Sequence, residues 1–457
     1  MPRTGYKSND HLSIELDRWQ GFAPGDFITG KVTRKASLSD PKATVTLRLR
    51  GRAKCKVSIK MQHGSANYRN RFDFFDDSNC VWTIFEGPLA ITSKSDPTSW
   101  PFKAQIPTRA SAASVVEGSK PDTCFLPLTE DAIREQALPD VFYYKGTNFW
   151  SGTTLFGYVE YYLEAELVPS KGSSRTATLP LFVRTPTPTS LSTATDFALR
   201  KDSLPFSISH PNMTNEKRGF GAKTKALFGG SSRPELKLSL SVEYPSHLQL
   251  GSRVPLCLKV LASDDCAAFS VDNQPLQCQL TSFNLTLNST TAVVCPGTMS
   301  VKRPTRTEKH EFSPKQSLLS ASDKPIFLPF GATSDSLDVG EMLQIILEDD
   351  GISLMGQRYR KKFSPKLVPD MKTYCITHTH TLHWELEFSI LGQTKQKKMQ
   401  GQGSVTLLSP DQGQVERAMA DLSDDERQAI FKAIILGTET GLEALDLVSE
   451  IVQAFAS

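Results

Sequence analysis

The chain lacks the paired cysteines, glycine-rich loops and long apolar runs from which many functions are read. Its eight cysteines are scattered over 457 residues without a CxxC pair. That argues against a zinc site and for reduced, buried thiols. No apolar run approaches the roughly 18 residues that a membrane-spanning helix needs. The opening MPRTGYKSNDHLS has no apolar h-region, which points away from secretion. The sequons at Asn212, Asn284 and Asn288 are therefore read as chance matches. GxSxG, P-loop and GxGxxG motifs are absent, as is a Cys/His pair at a familiar spacing. The expectation is a protein that is not an enzyme and takes no cofactor. An excess of one charge is missing too, because 52 Lys and Arg face 49 Asp and Glu for a net +3. Basic character must then be local, which argues against bulk nucleic-acid binding.

What the chain does have is alternation. Thr44 to Lys60 reads TVTLRLRGRAKCKVSIK. At period 2 one face carries Arg48, Arg50, Arg52, Lys54, Lys56 and Lys60, and the other carries Val45, Leu47, Leu49, Gly51, Ala53, Cys55, Val57 and Ile59. This is the pattern of a half-buried strand, or of a bent pair of strands, and not of a helix. Like charges along one face repel, and an anionic partner or local carboxylates would relieve them. Two readings follow: a solvated face with acidic neighbours, or a surface built to meet an anion.

A hydrophobic content of 39% and a charged content of 22% are those of a globular protein, and the length predicts two or three domains. Residues 1–183 hold short alternating segments broken by turn residues, as in LSIELDRW, FITGKVTRKA, VWTIFEGPLAI, PFKAQIP and FGYVEYYLEAELV. Strands without intervening helices predict a β-sandwich. Residues 184–233 are rich in Pro, Ser, Thr, Gly and Lys and read as a flexible basic linker. Its Lys217, Arg218, Lys223 and Lys225, with Phe220 and Phe228, suit either contact with a membrane surface or plain solvation. Residues 234–410 resume strand patterns and predict a second sandwich. Residues 411–457 switch to helical spacing in an acidic tail, with a capping box at Ser423–Glu426 and apolar positions at Ile430, Ile434, Leu445, Val448 and Val452. Helices this short need a partner surface.

Three clusters invite chemistry. His378 and His380 share a strand face with Ile376, Leu382 and Trp384, whereas His383 points the other way, so packing is favoured over a metal. Asp73, Asp76 and Asp77 lie in RFDFFDDSN without a calcium-loop glycine and read as turn caps. Tyr158, Glu160 and Tyr162 form a mixed face for which packing is favoured over an aromatic binding groove.

Certain residues in order resemble the arrestin family. They are Ile14–Asp17, Phe22–Asp26, Ile28–Val32, Leu47–Ala53, Glu86–Leu89 before Trp100–Phe102, Leu138-Pro139 with Phe142, and Gly157–Ala165. In the second half, Tyr374–Ile376 with His380–Leu386 is similar to a late strand of fungal arrestin-like proteins. The resemblance spans roughly residues 10 to 410 and rests on order and spacing. It implies an all-β protein of two immunoglobulin-like sandwiches with the helical tail appended. It implies a cytoplasmic adaptor or scaffold in membrane-protein trafficking, endocytosis and signalling, recruited to plasma membrane or endosomes. Its partners would be cytoplasmic tails of membrane proteins or anionic lipid. The PPxY and LPxY peptides by which many such proteins recruit ubiquitin ligases are missing, so any ligase contact would be indirect. The alternative is a structural subunit of a sorting or coat complex, like the arrestin-fold subunits of retromer, assembling through its C-terminal helices.

Overall fold

A computed structural model describes residues 4–92, 97–117, 119–148, 151–184, 199–209, 213–215, 235–262, 269–271, 274–311, 325–331, 335–348, 351–360, 367–390, 396–410, 423–428 and 432. The chain is predominantly β. The strands of the first half are β1 (Ser13–Leu16), β2 (Phe27–Arg34), β3 (Leu38–Met61), β4 (Gly64–Asp73), β5 (Val81–Ile91), β6 (Thr98–Gln105), β7 (Phe142–Asn148), β8 (Thr153–Val168) and β9 (Arg175–Leu181). Then come β10 (Leu199–Ser209), β11 (Met213–Asn215), β12 (Glu235–Pro245), β13 (His247–Gln249), β14 (Cys257–Ala262), β15 (Phe269–Val271), β16 (Gln274–Pro275), β17 (Cys278–Val293) and β18 (Thr305–Glu311). The series ends with β19 (Ile326–Leu328), β20 (Leu337–Asp338), β21 (Ile346–Leu347), β22 (Gly351–Leu354), β23 (Gln357–Arg360), β24 (Met371–Lys372), β25 (Ile376–Ile390) and β26 (Lys397–Leu408). Short helices at Ala112–Val116, Glu130–Glu135 and Val339–Met342 lie between strands.

The basic stretch is one continuous strand, β3. One edge pairs β8 over most of its length. The other edge is shared, with Leu38–Arg48 pairing β5 and Arg52–Met61 pairing β4. The sheet order is β4-β3-β8-β7, while β1-β2-β6 forms a second sheet of this half. Alternation puts Val45, Leu47, Leu49, Ala53, Cys55 and Val57 into a buried cluster with Ile14, Ile28, Val32 and Trp100. Gly51 is required within it: a Cβ there would stand 2.7 Å from the Phe75 ring and 2.8 Å from Tyr161.

In the second half, β13-β26-β25-β17-β18 forms one sheet and β10-β12-β14-β20 another. Leu240, Val242, Leu258, Leu285, Leu382, Trp384 and Phe388 belong to a second buried cluster. The alternating stretch LQCQLTSFNLTL and the apolar run TAVVC lie largely on the single strand β17. Residues 199–209 fall within the stretch expected to be a flexible linker, yet they pair along their length with β12. Ile208 is buried, and Leu204 and Phe206 pack on the same core. The composition of the surrounding linker masks this short apolar alternation.

The two cores meet at a seam. Val294, Cys295, Tyr374, Cys375 and Ile376 of the second half are buried in the first half's cluster. Phe125 N donates to Tyr374 O at 2.8 Å, and Asn70 Nδ2 donates to Val294 O at 3.0 Å. Phe72 stacks on Tyr374, with ring centroids 5.3 Å apart.

Candidate anion-facing surface

Strand register carries the outward residues of β3 into rows that run across four strands. Lys56 stands opposite Phe156 on β8 and Arg69 on β4, and Phe156 stands opposite Lys145 on β7. The next row is Tyr143, Tyr158, Lys54 and Arg71, and the one after sets Arg52 between Glu160 and Asp73. Further along, Arg50 faces Tyr162, and Arg48 faces Glu164.

These rows divide the six cations predicted from the sequence. The three arginines meet carboxylates. Arg48 Nη1 lies 2.7 Å from Glu166 Oε2 and 3.9 Å from Glu164. Arg50 Nη1 lies 2.5 Å from Asp77 Oδ1. Arg52 Nε donates to Glu160 Oε1 at 2.6 Å, and its guanidinium stacks over Tyr162. The Glu166 partner holds Arg48 above its ordinary pKa, and Arg48 holds the Glu166 carboxyl below the usual range.

Glu160 is the centre of this end. Its side chain is 4% exposed. It accepts from Thr4 N at 2.7 Å and from Arg52, with Lys54 Nζ at 3.8 Å. Arg52 also donates to Thr4 Oγ1. A bridge between Lys7 and Thr178 fixes the N-terminal segment against β9. Burial, followed by Arg52, pushes the Lys54 ammonium down to about 8 despite Glu160. Tyr158, Glu160 and Tyr162, read as a mixed face, are all buried. Lys54 is therefore a constituent of this buried cluster, not a solvent-facing cation.

The opposite end is different. Lys56, Lys60, Arg69 and Lys145 have no carboxylate partner among the described residues. Lys60, Arg69 and Lys145 are exposed, and Lys56 is half-buried. Lys56 and Lys145 share one ring, with Nζ atoms 5.5 Å and 5.7 Å from the Phe156 centroid. Cation–π contact of this kind holds ammonium groups over a platform without neutralising them. Lys56 and Arg69, directly opposite, repel. An anion against this end would gain several charge-assisted hydrogen bonds and remove that repulsion. Arg69, Lys145 and Phe156 were not singled out from the sequence. Each sits on a different strand from Lys56, and only the register reveals the row.

The other candidates fall elsewhere. Asp76 accepts from Ser78 and Asn79 backbone groups and from Ser111 Oγ, so it closes a turn, and these bonds hold its carboxyl below the usual range. Asp73 pairs with Arg71. His378 and His380 are buried, whereas His383 shares a hydrogen bond with Asn288 on the other sheet face. No cluster among the described residues is arranged to hold a metal ion. Lys217, Arg218, Lys223 and Lys225 lie outside the described residues, as do Ile430, Ile434, Leu445, Val448 and Val452. The capping box is formed: Ser423 Oγ donates to Glu426 Oε2 at 2.7 Å, and Glu426 N donates back to Ser423 Oγ at 3.3 Å. No described helix is long and apolar enough to cross a membrane. Comparison of the chain with protein-family models and with curated proteins gave no match.

Proposed function

We propose that this chain is a non-enzymatic adaptor of arrestin type in membrane-protein trafficking. In this reading the two cores are two β-sandwich domains. The Lys56–Arg69–Lys145 end of the outer sheet face receives acidic segments of membrane-protein cytoplasmic tails. One observation carries the reading: Lys56 and Lys145 converge on Phe156 with Arg69 opposite Lys56, none with a carboxylate partner among the described residues, while every arginine of the same strand has one. A face that neutralises its arginines locally and leaves its other end cationic is polarised toward an anion. The mixed donors suit carboxylates on an extended peptide.

The test is titration of a labelled Asp/Glu-rich peptide, and of a neutral peptide of equal length, at low and high salt. Binding of the acidic peptide alone, weakening as salt rises, is the expected result. Vesicles containing phosphatidylserine form a second arm. Binding to vesicles and not to peptide would transfer the surface to lipid recognition.

A further inference from the structure

The seam between the two cores holds titratable groups that anion recognition does not use. His378 is 4% exposed. Its Nδ1 shares a 2.8 Å hydrogen bond with Thr291 Oγ1 on β17. Its ring lies against aromatic rings of the first half, 5.5 Å from Phe142 and 6.4 Å from Tyr144. On its own strand it meets the His380 ring edge-on at 4.9 Å. A second contact crosses the seam beside it, where Tyr144 Oη donates to Glu308 Oε1 on β18 at 3.1 Å.

We propose that His378 is an acid-sensitive latch on this seam: neutral, it packs the Phe142–Tyr144 strand onto β25, and protonated, it releases that strand. The argument rests on what surrounds the ring. A proton gained there puts a charge among Phe142, Tyr144 and His380 in a site closed to water, where an uncompensated charge is strongly disfavoured.

The facing groups do not supply a counter-charge. Asp370, the acid of the preceding segment, is committed to His380 Nδ1 at 2.6 Å. His310 on β18 bonds Ser289 Oγ at 2.9 Å, and with His380 it opposes a further positive charge. Arg306 on β18 acts instead on Tyr144 and Glu308, favouring their ionised forms. Glu308 is held above the usual carboxylate range by burial and is bound by Tyr144. The nearby Val368 backbone favours the charged ring, but burial, His380 and His310 outweigh it and push His378 down to about 3. The sign follows. The closed seam refuses the proton that a solvated imidazole accepts near pH 6.5, so the closed form loses ground as pH falls below about 6.5. Glu308 acts the other way, because the closed form takes up its proton more readily.

The Phe125 amide, whose acceptor Tyr374 O lies across the seam, is the natural reporter. Hydrogen exchange of the full chain is compared at pH 7.5 and 5.0 after correction for the intrinsic rate, in wild type and in His378→Gln. One group shifted from about 6.5 to about 3 makes opening roughly 30-fold easier at pH 5.0. The expected result is a loss of Phe125 protection larger in wild type than in the variant by about that factor, with the amides of Leu240 and Leu258 in the second core unchanged. Equal pH dependence in the two proteins overturns the proposal, as does loss of protection at Leu240 and Leu258 to the same extent. Should the variant not fold, imidazole NMR of wild type decides: His378 staying neutral at pH 5.0 in the closed form and titrating in step with Phe125 deprotection is expected. Titration near pH 6.5 with Phe125 still protected refutes the latch.

Discussion

Arg52 and Glu160 form a closely enclosed ion pair on the outer sheet face, with Nε 2.6 Å from Oε1 and the carboxylate almost sealed from solvent. Glu160 also holds Thr4 N and faces Lys54. Breaking such a pair from one side leaves buried charge uncompensated. Glu160→Ala is expected to cost about 3–5 kcal/mol. Replacing Arg52 as well should recover part of the loss. Urea unfolding of the single and double variants measures both, and additive losses would show that the two side chains do not act as a pair.

Lys54 gives this cluster a pH dependence. Its pKa in the folded chain, about 8, lies below the ordinary lysine value near 10.4. Between those values the unfolded chain holds the extra proton, so stability from this group rises with pH across the window and is unfavourable below it. Lys54→Met removes the titration. The difference in unfolding free energy, variant minus wild type, should therefore be larger at pH 7 than at pH 10. A difference that does not change with pH would mean that Lys54 is solvated in the folded protein.

Gly51 tests the packing beneath the charged face. Phe75 and Tyr161 close over it, and Tyr161 is held in place by donating its hydroxyl to Pro139 O at 2.7 Å. Gly51→Ala should cost about 1–3 kcal/mol by overpacking. Thermal unfolding reads it, and an unchanged midpoint would show that the rings yield freely.

Much of this was legible in the residues. The apolar alternation of Val45–Ile59 and the pattern VWTIFEGPLAI mark β3 and β5, because a period of two leaves a strong trace when one face is buried. The packing expected of the mixed face Tyr158, Glu160 and Tyr162 is what the structure has, because the N-terminal segment and Arg52 help to bury these side chains. The division of the basic face was beyond a linear reading, because Glu160, Glu164 and Glu166 reach the arginines only through a register joining residues more than a hundred positions apart. Lys145 and Arg69 escaped notice because only the pairing of β7 with β8 and of β4 with β3 brings them into the row of Lys56. β10 was lost in the composition of its neighbours.

The most direct test separates the two ends of the face. Binding of the acidic peptide is measured for wild type, for Lys56→Ser/Arg69→Ser/Lys145→Ser, and for Arg48→Ser/Arg50→Ser, each checked for folding by circular dichroism. Each cation near an anionic surface contributes about 1 kcal/mol, so the first variant should bind roughly a hundredfold more weakly and with a shallower salt dependence. The arginine variant should bind nearly as wild type, because its side chains are already matched by carboxylates. Unchanged binding in the first variant, or a loss confined to the second, would contradict the account.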